Sequence, residues 1–137
     1  MTIDKLIDRF QRADRDLRLE TLLDASRKLP DLPARLATDR DREEHRVPEC
    51  QTPVFLWLEK DGDRLRIFAD VAREAPTVRG FVSLLVMALD GGPVAAAAAL
   101  PIDLLHSLKL DEVLGMTRTQ GLSAIVGRLR RGAAALA

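Results

Sequence analysis

Val54-Phe55-Leu56-Trp57-Leu58-Glu59-Lys60-Asp61-Gly62-Asp63-Arg64-Leu65-Arg66-Ile67-Phe68-Ala69 is the stretch from which the rest of the chain is read. Two apolar-rich runs flank Asp61-Gly62, a strong signal for a two-residue hairpin turn of type I′. Folding the chain there sets Lys60 opposite Asp63 and predicts a strand over 54–60 paired antiparallel with one over 63–69. On one face Leu58 meets Leu65, Leu56 meets Ile67 and Val54 meets Ala69, all aliphatic. On the other, Glu59 meets Arg64, Trp57 meets Arg66 and Phe55 meets Phe68, giving an ion pair, a cation–π pair and an aromatic pair. A slip of one residue would scramble both sets, so this register reads as well specified.

Immediately before the first strand stands Val47-Pro48-Glu49-Cys50-Gln51-Thr52-Pro53, which holds the single cysteine of the chain. Prolines at 48 and 53 fix their own φ and bias the preceding residues toward extended backbone. The thiol therefore sits on a short stiff connector anchored to a core strand. A lone cysteine is more often a small buried hydrophobe than a nucleophile. Here it lies outside any periodic pattern, with polar Glu49 and Gln51 beside it, which is unusual for a core filler. The hairpin puts Cys50 at the sheet end away from the turn. Residues 70–75 leave the second strand at that same end, so two loops converge beside the thiol.

Helical periodicity surrounds this unit. Thr2 caps a short helix with Ile3, Leu6, Ile7 and Phe10 apolar. Asp14 or Asp16 caps a second, with Leu19, Leu22, Leu23 and Ser26 on one face, ended by Lys28-Leu29-Pro30. Residues 31–41 form a connection with one helical turn near 33–36, and 42–47 read as a short polar edge strand. A helix from Pro76 or Thr77 to about Asp90 is apolar almost all round and therefore buried. Gly80 within it lets something pack closely, expected to be the hairpin. Gly91-Gly92 stops this helix and Pro93 starts a short alanine-rich one ended by Pro101. A further short helix follows over 102–110, then a turn over 111–116. Thr117-Arg118-Thr119-Gln120 fits a capping box before a last helix with Leu122, Ile125, Val126 and Leu129 inward and Arg118, Arg128, Arg130 and Arg131 outward. The fold class is α+β: a small antiparallel sheet of about three strands packed with helices, in one domain over 1–137.

The chain has 137 residues, enough for a real core. Its 21 basic and 21 acidic side chains balance, which leaves no basic field for nucleic acid. No apolar run reaches the ~18 residues of a membrane span. Residues 2–16 are charged and amphipathic, with no apolar core of a signal peptide, and one cysteine forms no internal disulfide. The expected setting is a reducing cytoplasm, where a thiol persists.

Other chemistry finds little support. Cys50, His45 and His106 fall short of the four ligands, in paired short spacings, of a structural zinc site, so no metal is expected. His45 is a conceivable base for Cys50, but no oxyanion motif accompanies it, and a surface strand histidine is the commoner meaning. His106 reads as an edge-of-core residue. Asp90-Gly91-Gly92-Pro93 lacks the Lys and Ser/Thr of a phosphate loop and is a helix stop. The arginines of the last helix read as a solvated face.

Arg46-Val47-Pro48-Glu49-Cys50-Gln51-Thr52-Pro53-Val54-Phe55-Leu56-Trp57 resembles the cysteine motif of the SufE family. Arg27-Lys28-Leu29-Pro30 with Leu32 is similar to that family's first helix end. Ala69-Asp70 followed by Pro76-Thr77-Val78-Arg79-Gly80 is similar to its central-helix entry, and Arg118-Thr119-Gln120-Gly121-Leu122 to its C-terminal Arg-x-Gln-Gly-Leu motif. The departures are Glu49, where many members carry Gly, and Gly115-Met116-Thr117, where many carry Thr-Pro-Ser. The resemblance implies a SufE/IscU-like fold and a sulfur relay without a bound cofactor. Cys50 would accept persulfide sulfur from a SufS-like, pyridoxal-phosphate cysteine desulfurase, stimulate that enzyme, and pass the sulfur to a SufB-like iron–sulfur scaffold. It implies partner contacts at Arg46, Glu49, Gln51, Asp70 and Arg118. The alternative is a non-covalent adaptor or activator of a desulfurase, with no persulfide chemistry at Cys50.

Overall fold

A computed structural model describes all residues, Met1–Ala137. Two N-terminal helices, α1 (Ile3–Arg12) and α2 (Arg15–Ser26), begin where the sequence supplies a capping oxygen. Thr2 Oγ1 accepts from the Lys5 N–H at 3.2 Å, and Asp14 Oδ1 from the Leu17 N–H at 2.8 Å. Each satisfies a donor that a helix start leaves open. Buried Arg18 donates from Nε to the Phe10 carbonyl at 2.9 Å and ties α2 to the last turn of α1. A short α3 (Ala34–Ala37) and a 3-10 turn (Arg42–His45) lead to the cysteine loop.

The hairpin forms from β1 (Val54–Asp61) and β2 (Arg64–Val71), antiparallel. Its faces are those expected, but the pairing is displaced by two residues. Leu56 lies opposite Ala69 rather than Ile67, Leu58 opposite Ile67, Trp57 opposite Phe68 and Glu59 opposite Arg66. The turn is Gly62-Asp63, not Asp61-Gly62. Type I′ needs positive φ at both central residues, and here only Gly62, at φ +62°, has it. A glycine in the first central position with an ordinary residue second is the type II′ pattern. Asp61 is thereby spared left-handed backbone. A shift of two preserves side-chain parity, so the inward set survives a misplaced turn.

The third strand expected over 42–47 is absent. Residues 42–45 form the 3-10 turn, and only Arg46 makes a bridge, to Phe55. The outer edge of β1 is covered instead by the Val47 N–H on the Val54 carbonyl at 2.8 Å and by His45 Nδ1 at 3.2 Å from the Leu56 carbonyl. A carbonyl only accepts, so Nδ1 carries the proton. The free edge of β2 is closed by the helix stop: Gly91 N–H donates to the Leu65 carbonyl at 2.7 Å, Leu65 N–H to Gly92 at 2.8 Å, and Ile67 N–H to Asp90 Oδ1 at 2.8 Å. Neither edge is left as a template for another chain.

The remaining elements are α4 (Pro76–Leu89), α5 (Val94–Ala98), α6 (Leu104–Ser107), α7 (Asp111–Leu114) and α8 (Met116–Leu136). Gly80 of α4 faces α2 and not the hairpin: a Cβ there would lie 2.0 Å from the Leu22 carbonyl oxygen. The capping box at Thr117 does not form. Gly115, at φ +78°, turns the chain into α8 two residues earlier, and the Thr119 hydroxyl donates to the Met116 carbonyl at 2.9 Å. The main core lies between the inward sheet face (Val54, Leu56, Leu65, Ile67, Ala69, Val71), α4 and the buried stripe of α8. A smaller cluster of Leu36, Phe55 and Trp57, with Leu32 and Phe68 against it, covers the outward face. The result is a mixed α+β fold with a small antiparallel sheet flanked by helices.

Candidate functional site

Cys50 lies at the sheet end remote from the hairpin turn, in the loop that enters β1. It is 7% exposed. The loop folds back on itself, with the Cys50 N–H on the Val47 carbonyl at 3.2 Å. Its thiol points at α8 and donates to the Gly121 carbonyl at 3.2 Å. The approach is close: a Cβ at 121 would lie in van der Waals contact with the loop, 3.4 Å from Sγ and 3.6 Å from the Cys50 Cα. Glu49, just before the cysteine, is exposed and has ordinary backbone, the only non-glycine residue with positive φ being Lys109. The loop therefore closes without a glycine at 49.

A cleft of about 330 Å³ opens beside the thiol. Residues 50–52 form one wall, residues 74–78 at the entry to α4 another, and Thr117, Arg118 and Gly121 of α8 the third. The two loops expected to converge do so. Gln51 and Arg118 share this cleft with Cys50, and Arg118 Nη1 reaches Thr77 Oγ1 at 3.5 Å. Asp70 and Arg46 do not line it. Asp70 is paired with Arg42, whose guanidinium lies 3.9 Å over the Phe55 ring on the outward face of the sheet. Arg46 is held at the base of the cysteine loop by the bridge to Phe55.

Electrostatics at the closed site oppose ionisation. Burial pushes the Cys50 thiol up to about 11, and the adjacent Glu49 carboxylate adds to the rise. At neutral pH only about one thiol in ten thousand would be ionised, and the thiolate is the reactive form. His45 cannot relieve this. Its ring is stacked on Trp57 at 5.1 Å between centroids, with Nδ1 committed to Leu56. His106 is exposed and bonded to Asp111 at 2.9 Å, not at the core edge. No three His, Cys, Asp or Glu side chains are gathered to hold a metal ion.

Two arginines hold the site's surroundings in a way the sequence reading did not find. Arg79, buried, donates from Nε to the Ser26 carbonyl at 2.8 Å and from Nη1 to the Val71 carbonyl, joining the end of α2 to the end of β2. Arg128, read as a solvated side chain, donates from Nη1 to the Arg46 carbonyl at 3.0 Å and from Nη2 to the Glu44 carbonyl at 2.7 Å. Both bind main-chain carbonyls of other elements, and those of Ser26, Glu44 and Arg46 lie far off in the chain, where no local sequence signal exists.

Comparison with known proteins converges on one family. The model of the SufE family, described as an Fe-S metabolism associated domain, matches residues 4–133. An uncharacterized SufE-like protein of Mycobacterium tuberculosis is 35% identical over 128 residues, spanning 93% of this chain and 87% of the relative. An uncharacterized SufE-like protein of Rhizobium etli is 27% identical over 136 residues, spanning 96% and 89%. Among solved structures, the solution structure of a hypothetical protein from Thermus thermophilus superposes with a TM-score of 0.83 at 29% identity, covering 98% of this chain and 97% of that one.

Proposed function

The chain belongs to the SufE family, and on that premise we propose that Cys50 is the persulfide acceptor of a sulfur relay. Family membership supports a general sulfur-acceptor role in iron–sulfur assembly. The observation that carries the finer reading is the placement of the chain's one thiol at the wall of a polar cleft, on a loop held at its tip by a single weak bond to Gly121. In the proposed step the Cys50 thiolate attacks the outer sulfur of a persulfide on a cysteine desulfurase. The S–S bond of the donor breaks, a new S–S bond forms at Cys50, and the donor cysteine leaves as thiolate. The sulfur then passes to an iron–sulfur scaffold. The chain works without a cofactor of its own; pyridoxal phosphate belongs to the desulfurase.

A thiol titrating near 11 is inert in the closed loop, so transfer requires the loop to open as the partner docks. Opening removes the desolvation that raises the thiol and returns it toward its ordinary value. Gln51 and Arg118, on the cleft, and Glu49, exposed beside it, are the proposed partner contacts, with Arg46 at the loop base and Asp70 on the adjoining face.

The same burial favours a second reading. A thiol this buried and this weakly acidic also fits a cysteine with no chemistry, in a protein that activates a desulfurase by contact alone. Mass spectrometry after incubation with a desulfurase and free cysteine separates the two. Under the relay the wild type gains about 32 Da or multiples of it, Cys50→Ser gains nothing, and stimulation of the desulfurase is lost with the thiol. A Cys50→Ser variant that stimulates as well as wild type, with no adduct on either, leaves only the adaptor.

A further inference from the structure

The cysteine loop is fastened to α8 at two points of different strength. Gly121 and Arg128 are seven positions apart, two helical turns, and so lie on one face of α8. Gly121 receives the thiol at the tip of the loop, and Arg128 grips the carbonyls of Glu44 and Arg46 at its base. Glu44 lies in the 3-10 turn and Arg46 just after it, and no backbone N–H reaches either carbonyl. Arg128 is thus their partner in the fold, and it enters no ion pair that would draw it away.

We propose that Arg128 is the positioning residue for Cys50: by fixing the base of the thiol-bearing loop it confines opening to residues 48–53. Three observations carry this. First, the bonds differ in kind. A guanidinium on a carbonyl makes a charge-assisted hydrogen bond, roughly twice as strong as a neutral one, whereas a thiol is a weak donor. Second, the bonds are unevenly distributed. Residues 42–47 are held by the Arg42–Asp70 pair, the His45–Leu56 bond, the Val47–Val54 bond and both bonds of Arg128. Residues 48–53 have only the two bonds of Cys50, its N–H to Val47 and its thiol to Gly121. The change from held to free falls at Pro48, and the free segment ends at Pro53. Third, both prolines fix φ, so the segment between them lifts as a stiff flap rather than unravelling. A fixed base returns the thiol to the same cleft wall after each opening.

This inference rests on the reading of Cys50 as the reacting group, but its test needs no desulfurase. Cys50 is alkylated with iodoacetamide, its thiolate displacing iodide to form a thioether, in wild type, Arg128→Ala, Arg128→Met and Arg128→Lys. Asp14→Ala, which removes the remote cap of α2, controls for general loss of stability. Arg128→Ala and Arg128→Met should each react about tenfold faster than both wild type and the control, the size expected for losing charge-assisted bonds. Arg128→Lys, which keeps a cationic donor, should fall closer to wild type. Hydrogen exchange at the Val47 amide should quicken in the same order. Arg128→Met reacting as slowly as wild type would mean the side-chain stem, not its hydrogen bonds, holds the loop, and would overturn the proposal. So would Arg128→Ala reacting no faster than Asp14→Ala. Failure here leaves the persulfide mass test untouched, and failure there leaves the hold of Arg128 on the loop base untouched.

Discussion

The thiol of Cys50 is raised by burial first and by Glu49 second, and both causes can be read out separately. Its alkylation rate should climb about tenfold per pH unit from pH 7 upward and level off near 11, because the thiolate alone reacts. Glu49→Gln removes the neighbouring charge and should bring the levelling point down; Glu74 and Arg118, the other charged groups on the cleft, remain in place. The same shift has a consequence for stability. Folding holds the thiol protonated above its ordinary value of about 9. The stabilisation is complete below that value and is lost as pH rises from about 9 to 11, where the unfolded chain releases the proton and the folded one keeps it. The loss is of the order of 2 kcal/mol. Denaturant melts of wild type should weaken across that window by this amount relative to Cys50→Ser, which has no group titrating there. Parallel curves would mean the thiol is not desolvated in solution. The position of this cysteine was legible from its flanking prolines; its silence at neutral pH was not, because the α8 backbone that buries it lies about seventy residues away in the sequence.

Among the elements, the contact between α2 and α4 has the least room to adjust. A Cβ on Gly80 meets the Leu22 oxygen at 2.0 Å and its carbonyl carbon at 2.7 Å, both backbone atoms. Gly80→Ala must push two helices apart and should cost several kcal/mol in a denaturant melt, the range of severe overpacking. At the hairpin turn the constraint is conformational instead. Nothing lies within 4 Å of a Cβ at Gly62, but its φ is +62°. Gly62→Val should therefore cost about 1–2 kcal/mol and Gly62→Asn distinctly less, since Asn tolerates left-handed backbone. Equal losses would place the strain elsewhere. Helix starts at Thr2 and Asp14 were legible because capping is settled within four residues. The strand faces were legible because alternation is local. The pairing of Leu56 with Ala69 was not, since Asp61-Gly62 and Gly62-Asp63 are both plausible turns and only the number of positive-φ residues decides between them.

For the whole molecule the testable surface is the cleft rim. Arg118→Glu reverses an exposed charge at the wall opposite Cys50 and should lower desulfurase stimulation while leaving the melting temperature nearly unchanged, as exposed charges change stability by under about 0.5 kcal/mol. Asp70→Arg is the informative contrast. Its partner Arg42 covers Phe55, so reversal sets two cations together over that ring and should lower stability as well. Stimulation unchanged in both would move the docking surface off this face. Taken by itself, the sequence determined the helix caps at Thr2 and Asp14, the inward and outward faces of the hairpin, the helix stop at Gly91-Gly92, the stiff cysteine loop and, through four short motifs, the family. Each depends on residues adjacent in the chain, where backbone preference and periodicity act directly. Only the tertiary structure decided that Gly80 serves α2, that the third strand gives way to a 3-10 turn, that Arg128 and Arg79 bind carbonyls of distant segments, and that Cys50 is shut against Gly121. Those outcomes turn on distances between segments far apart in sequence, and burial and hydrogen-bond satisfaction exist only once such segments have met.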